Sequence, residues 1–231
     1  MGSKFLGPLQ SGGVIVTPLY VGPLKAPGGA LVYAKPSFVY RQDFTDVAAI
    51  DADGYVTDKT STELPGEAGS VTFTPDGALV GGAPDAPRNA VITVTHSSAV
   101  VAASGVITGT DEYGNVVTEA WSVTAGTTSK VFTGAVAFAA ITSVTYVTAT
   151  DAEANTFSVG TGKVLGLSLP AEAPVIVAEL SGGTAVTNGV LVAESTASDE
   201  DVRGTYTPNG TPNGTLDFSI WYIGASPVAV L

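Results

Sequence analysis

Val and Thr recur at alternate positions in short runs, and each run ends at a Gly, Pro, Asn or Asp turn signal. Ala90–Thr95, Val116–Thr124 and Ile141–Thr148 are the clearest cases. Alternation with period two puts successive side chains on opposite faces of a strand. β-Branched side chains lose χ1 freedom in a helix and fit a pleated surface. No amphipathic helical pattern of ten or more residues survives between the turn signals. Many short strands separated by turns predict an all-β chain, an antiparallel β-sandwich of jelly-roll or immunoglobulin-like type.

Several elements follow from the same pattern. Gly105–Thr110 and Val116–Thr124 flank Asp111–Asn115, which reads as a hairpin with Gly114 in its loop. Val117, Glu119, Trp121 and Val123 share one face of the second strand. A carboxylate beside a tryptophan on a buried face predicts that Glu119 lies near the sheet end. Val136–Ala140 is apolar without alternation and reads as a helical turn. Phe157–Gly162 and Val164–Leu169 read as another hairpin. Trp121 and Trp221 fall in strand patterns and read as core. Pro208–Gly214, with its near-tandem Pro-Asn-Gly-Thr, reads as a projecting loop.

The first 45 residues differ from the rest. Pro8, Pro18, Pro23, Pro27 and Pro36 interrupt short apolar pieces rich in Tyr, Phe, Leu and Val. Proline fixes φ and removes a donor, which excludes both a helix and a central strand. A solvated linker would be more polar. Residues 1–45 therefore read as an extended N-terminal arm that buries its side chains against a partner or its own domain. Residues 46–87 read as short strands and a linker. Residues 88–231 read as the sandwich body, with a core unit over 88–170.

Composition removes whole classes of chemistry. The chain has no Cys, a single His96 and a net charge of −12. Cysteine nucleophiles, disulfide scaffolds and Cys- or multi-His zinc sites are excluded. The acidic balance speaks against nucleic acid, which needs clustered Lys and Arg. No apolar run is long enough for a membrane-spanning helix. His96 ends a strand without a recognisable acid or a G-x-S-x-G elbow. Acidic residues cluster in turns, Asp199–Asp201 among them. Asp51-x-Asp53-Gly54 fails the calcium-loop pattern, because Gly54 stands at position 4 and Glu63 at 13 where 6 and 12 are needed. Neither catalysis nor a cofactor nor a metal is expected.

Ile107–Glu119, read as ITGTDEYGNVVTE, resembles a recurrent hairpin of structural proteins from tailed bacteriophages. Ser129–Phe132, Ile141–Thr145 and Phe157–Gly162 follow it in the same order, and Asp201–Phe218 is similar to the end of such proteins. The resemblance covers about residues 88–169 and 200–223. It implies a head decoration, or cement, protein made in the host cytoplasm and placed on the capsid surface. Such proteins are β-rich, often trimeric, and bridge neighbouring major capsid subunits. They have no catalytic residues to carry over. Phe5, Leu6, Tyr20, Tyr33, Phe38 and Tyr40 are then candidate aromatic and aliphatic anchors for the capsid or a second subunit. Arg41, Arg88 and Arg203 are candidate contact cations, with pairing to nearby Asp as the alternative. A tail-associated virion protein and a carbohydrate-binding adhesion module are the other readings.

Overall fold

The computed structural model describes residues 17–18, 24–25, 31–32, 38–60, 62–79, 84–152, 154–195 and 203–224. Phe5, Leu6, Tyr20, Tyr33 and Asp199–Asp201 lie outside them. The described residues hold no helix, and every strand pairing is antiparallel. The strands are β1 (Thr17–Pro18), β2 (Leu24–Lys25), β3 (Leu31–Val32), β4 (Phe38–Phe44), β5 (Val56–Lys59), β6 (Gly69–Phe73), β7 (Arg88–His96) and β8 (Ala103–Thr110). They continue with β9 (Val116–Val123), β10 (Ser129–Phe138), β11 (Ala140–Thr148), β12 (Asn155–Gly166), β13 (Ala171–Ser181), β14 (Thr184–Ala185), β15 (Val190–Val192), β16 (Thr205–Thr207) and β17 (Phe218–Gly224).

Two sheets face each other across the first core. One has the order β10-β7-β12, with β5 also paired to β12, and the other is β6-β11-β8-β9. Alternation puts Ile92, Val94, Phe157 and Val159 inward from one sheet and Ile107, Trp121, Val144 and Tyr146 inward from the other. Trp121 stacks on Phe157 with centroids 5.5 Å apart, and Tyr146 meets the same ring edge-on at 5.2 Å. The Trp121 indole N–H donates to the Thr145 carbonyl at 3.0 Å, so the buried tryptophan leaves no unpaired donor.

A second core lies between the sheet β1-β4-β17-β13-β14 and the end of β12 with β15 and β16. Tyr40, Phe44, Ile220 and Tyr222 pack there against Leu165, Leu191 and Tyr206, with Phe44 stacked on Tyr206 at 5.7 Å. β12 therefore serves both cores: Phe157 and Val159 in the first, Leu165 in the second.

Three expectations change. Phe157–Gly162 and Val164–Leu169 do not form a hairpin, because β12 runs unbroken to Gly166. Its glycines turn nothing, and none has a positive φ. They admit close neighbours instead: a Cβ on Gly162 would stand 2.2 Å from Asn89 Oδ1. Val136–Ala140 is not a helical turn. β10 continues to Phe138, and a bulge between Thr133 and Ala137 shifts the alternation so that Val136, Ala137 and Phe138 are buried in succession. The arm expected over 1–45 gives way at Phe38, since β4 is paired on both sides, to β1 and to β17. No proline falls within 38–44, so this stretch can join a sheet interior. Residues 46–87 hold two short strands that close the first sandwich, β5 on β12 and β6 on β11.

Candidate functional site

An open groove of about 500 Å³ borders the second core. Residues 41–45 of β4 and the turn after it form one wall, and Asp85, Ala86, Pro87, Glu112 and Ser168 complete it. The three arginines singled out in the sequence converge here, each against a carboxylate of the lining or its neighbour. Arg41 Nε lies 2.9 Å from Asp43 Oδ1, and its guanidinium stacks 5.1 Å from the Trp221 ring. Arg88 Nη1 lies 3.6 Å from Asp85 Oδ1. Arg203 reaches Asp111 at 3.6 Å and Glu112 at 3.8 Å, and stacks 4.8 Å from the Tyr113 ring.

Burial separates these cations. Arg88 is 1% exposed. Its Nε donates to the Gly162 carbonyl at 3.0 Å and its Nη1 to the Ala48 carbonyl at 2.9 Å, so it clamps the loop after β4 to β12. Burial pulls this guanidinium below its usual pKa, against the field of Asp85. Arg203 is 6% exposed and Tyr40 also 6%. The side chains of Tyr40, Arg88 and Arg203 are thus engaged within the chain, with little surface left for a partner. Arg41 keeps a third of its side chain in solvent, and Phe38 is half-buried with its ring edge-on to Tyr40 at 6.4 Å.

The β8–β9 turn builds the other rim. Asp111 accepts from the Tyr113 amide at 2.8 Å, the Asn115 amide at 2.9 Å and Asn115 Nδ2 at 3.0 Å. Gly114 takes φ +81°, the left-handed conformation that closes such a loop without a Cβ penalty. Burial pushes the Asp111 carboxyl pKa up. The Asn115 side chain, the Asn115 and Tyr113 amides and Arg203 outweigh that and hold it below the usual carboxylate range. Tyr113 is 63% exposed, and its hydroxyl donates to the Ser168 carbonyl at 2.5 Å, tying the hairpin tip across to the segment after β12. Gln42 makes a parallel tie, donating to the Gly166 carbonyl at 3.3 Å and accepting from the Ser168 amide at 3.1 Å.

A buried polar cluster that the sequence reading did not assemble lies at the bulges of β10 and β12. Glu119 sits in the middle of β9, the edge strand of its sheet, and not near the end of the sheet. It is 3% exposed and accepts from the Ala135 amide at 2.5 Å and the Val136 amide at 3.3 Å, both within the β10 bulge. Asn89 of β7 donates to the Gly134 carbonyl at 2.8 Å and accepts from the Val164 amide at 3.0 Å. One side-chain amide thus bridges the bulges of both neighbouring strands. The available signal was a carboxylate on an inward strand position with glycines in the facing strands, but pairing it with a bulge needs the register.

His96 holds a turn, with Nδ1 accepting from the Ser98 amide at 2.9 Å and the Ala99 amide at 3.0 Å. Among the described residues no group of three His, Cys, Asp or Glu is placed to hold a metal ion, and no helix is long and apolar enough to cross a membrane. Trp121 and Tyr222 are buried, and Trp221 lies partly beneath Arg41. The chain matches no protein-family model, no curated protein and no solved structure.

Proposed function

We propose that this chain is a non-catalytic structural protein that assembles on a protein shell, in the manner of a phage head decoration protein bridging major capsid subunits. The observation that carries the reading is the segregation of charge. Residues 1–37 hold three lysines and no carboxylate, whereas residues 38–231 hold six Lys and Arg against 21 carboxylates. An apolar, cationic, proline-punctuated segment joined to an acidic body suits docking on a neighbour. The acidic body meanwhile opposes indiscriminate association. Phe5, Leu6, Tyr20 and Tyr33 are the proposed anchors of that segment, and Arg41 is the groove cation with surface to offer. The contacts of Arg203 with Asp111 and Glu112 tie the β8–β9 turn to the segment before β16, which suits a component whose task is mechanical.

The test is truncation at a boundary the fold supplies. Removing residues 1–37 leaves β4 intact, and occupancy on expanded capsids is expected to be lost while cooperative melting remains. Undiminished occupancy would sink the arm as the docking element. Removing residues 1–45 instead takes Tyr40 and Phe44 out of the second core and is expected to cost several kcal/mol or abolish folding. A full-length chain carrying Lys4→Gln, Lys25→Gln and Lys35→Gln separates charge from backbone. It should bind capsids less tightly, with a weaker dependence on salt.

A further inference from the structure

We infer that Asn209 is a modification site, at which the chain converts asparagine to aspartate and isoaspartate through a succinimide closed by the Gly210 nitrogen. The inference is independent of the shell reading and rests on the repeated Pro-Asn-Gly-Thr between β16 and β17.

Asparagine followed by glycine is the pair most open to this reaction, because no Cβ hinders the approach of the next backbone nitrogen to the side chain. The sequence holds three such pairs, Asn188-Gly189, Asn209-Gly210 and Asn213-Gly214. The last two lie in Pro208–Thr211 and Pro212–Thr215, the same four residues repeated. Local sequence gives these two the same intrinsic reactivity, so a difference between them is made by the fold.

All three asparagines are exposed, so exposure does not separate them. The state of the attacking nitrogen does. Attack requires the glycine N–H to lose its proton and turn toward Cγ, and a hydrogen bond holding that N–H opposes both. The Gly189 amide donates to Glu179 Oε2 at 2.5 Å, and Asn188 Nδ2 donates to the Ile176 carbonyl at 3.0 Å. The Gly214 amide donates to the Val47 carbonyl at 2.8 Å. Asn213 Oδ1 accepts from the Thr215 amide at 3.0 Å and the Thr215 hydroxyl at 3.2 Å. Among the described residues, neither the Gly210 amide nor the Asn209 side chain has a hydrogen-bond partner. Two of the three pairs are therefore locked, and Asn209-Gly210 is left able to react.

The chemistry balances with water alone. The Gly210 nitrogen gives its proton to solvent base and forms a bond to Asn209 Cγ. The Cγ–Nδ2 bond breaks, and the side-chain nitrogen takes up a proton and leaves as ammonia. Water then opens the ring. Opening at Cγ gives aspartate, and opening at the main-chain carbonyl gives isoaspartate, with the backbone rerouted through the side chain. Either product replaces a neutral amide with a carboxylate on the β16–β17 connection, and nothing is oxidised or reduced.

Incubating the full chain at mildly alkaline pH and mapping its peptides by mass spectrometry tests this. In the folded chain Asn209 should convert about tenfold faster than Asn188 or Asn213, the rate equivalent of one hydrogen bond that must break before attack. In urea the rates of Asn209 and Asn213 should converge, because their local sequences are the same. That comparison uses the native chain and needs no variant to fold. Gly210→Ala should slow conversion at Asn209 and keep the melting transition, since Gly210 has no positive φ and the new Cβ would stand 3.4 Å from the Phe218 ring. Asn188 or Asn213 leading in the folded chain, a gap between Asn209 and Asn213 that persists in urea, a folded chain with no conversion, or a Gly210→Ala chain that converts as fast would each overturn the inference.

Discussion

At the scale of single residues, the buried polar groups decide how tightly the sandwich can close. A bulge leaves amides that no ladder partner reaches, and burying them unpaired is costly. Glu119 supplies the missing acceptor for Ala135 and Val136. The facing residue must be glycine, since a Cβ on Gly134 would lie 2.3 Å from Glu119 Oε2. Glu119→Ala is therefore expected to cost about 2–4 kcal/mol in urea unfolding, because it strands buried amides. Gly134→Ala should be destabilising too, by forcing the carboxylate from its seat. The double variant should cost less than the sum of the two, by about 0.5–3 kcal/mol, since removing the carboxylate vacates the space that the methyl would occupy. Strict additivity would show that the two positions do not share one seat.

At the scale of elements, the β8–β9 hairpin links both cores through its turn. Asp111 is the centre of that turn, and its carboxyl is held below the usual range by the amides, Asn115 and Arg203. A depressed acid contributes stability that is present above its unfolded pKa, near 4, and lost as pH falls through the folded value. The midpoint of urea unfolding should therefore drop more steeply below about pH 4 in the native chain than in Asp111→Asn. Identical acid limbs would remove Asp111 from the pH dependence. The same hairpin contains the run ITGTDEYGNVVTE, Ile107–Glu119. In the fold, Asp111, Gly114 and Asn115 make the turn, and Glu119 anchors the strand. Gly109 gives way to the Ala140 carbonyl, which a Cβ would meet at 2.2 Å. The motif is thus legible in physical terms as a device for a stiff, well-anchored hairpin.

At the scale of the whole molecule, two cores share one long strand, and the chain returns to the second core after building the first. Tyrosines report on both. Burial raises the phenolic pKa of Tyr55 in the first core, and of Tyr222 and Tyr206 in the second; Glu179 adds to the effect at Tyr206. A group raised in the folded state contributes stability that is present below its unfolded pKa, near 10, and is lost as pH rises towards the folded value. In a spectrophotometric titration Tyr55, Tyr206 and Tyr222 should ionise only as the alkaline transition unfolds the chain. Ionisation of all eight tyrosines in one reversible step would contradict the two closed cores. What the sequence determined by itself was local. Val and Thr at period two, with Gly, Asn and Pro between the runs, dictated strands, turns and the inward face of Trp121, because those preferences act within a few residues. What only tertiary structure decided was non-local. That β12 runs through its glycines, that Phe38–Phe44 joins a sheet interior, that Arg88 and Arg203 are consumed inside the chain, and that Glu119 seats in the bulge of β10 all depend on register and close approach between strands distant in the sequence. A one-residue bulge shifts which side chains point inward, and nothing in the run of residues that carries it records which strand it will face.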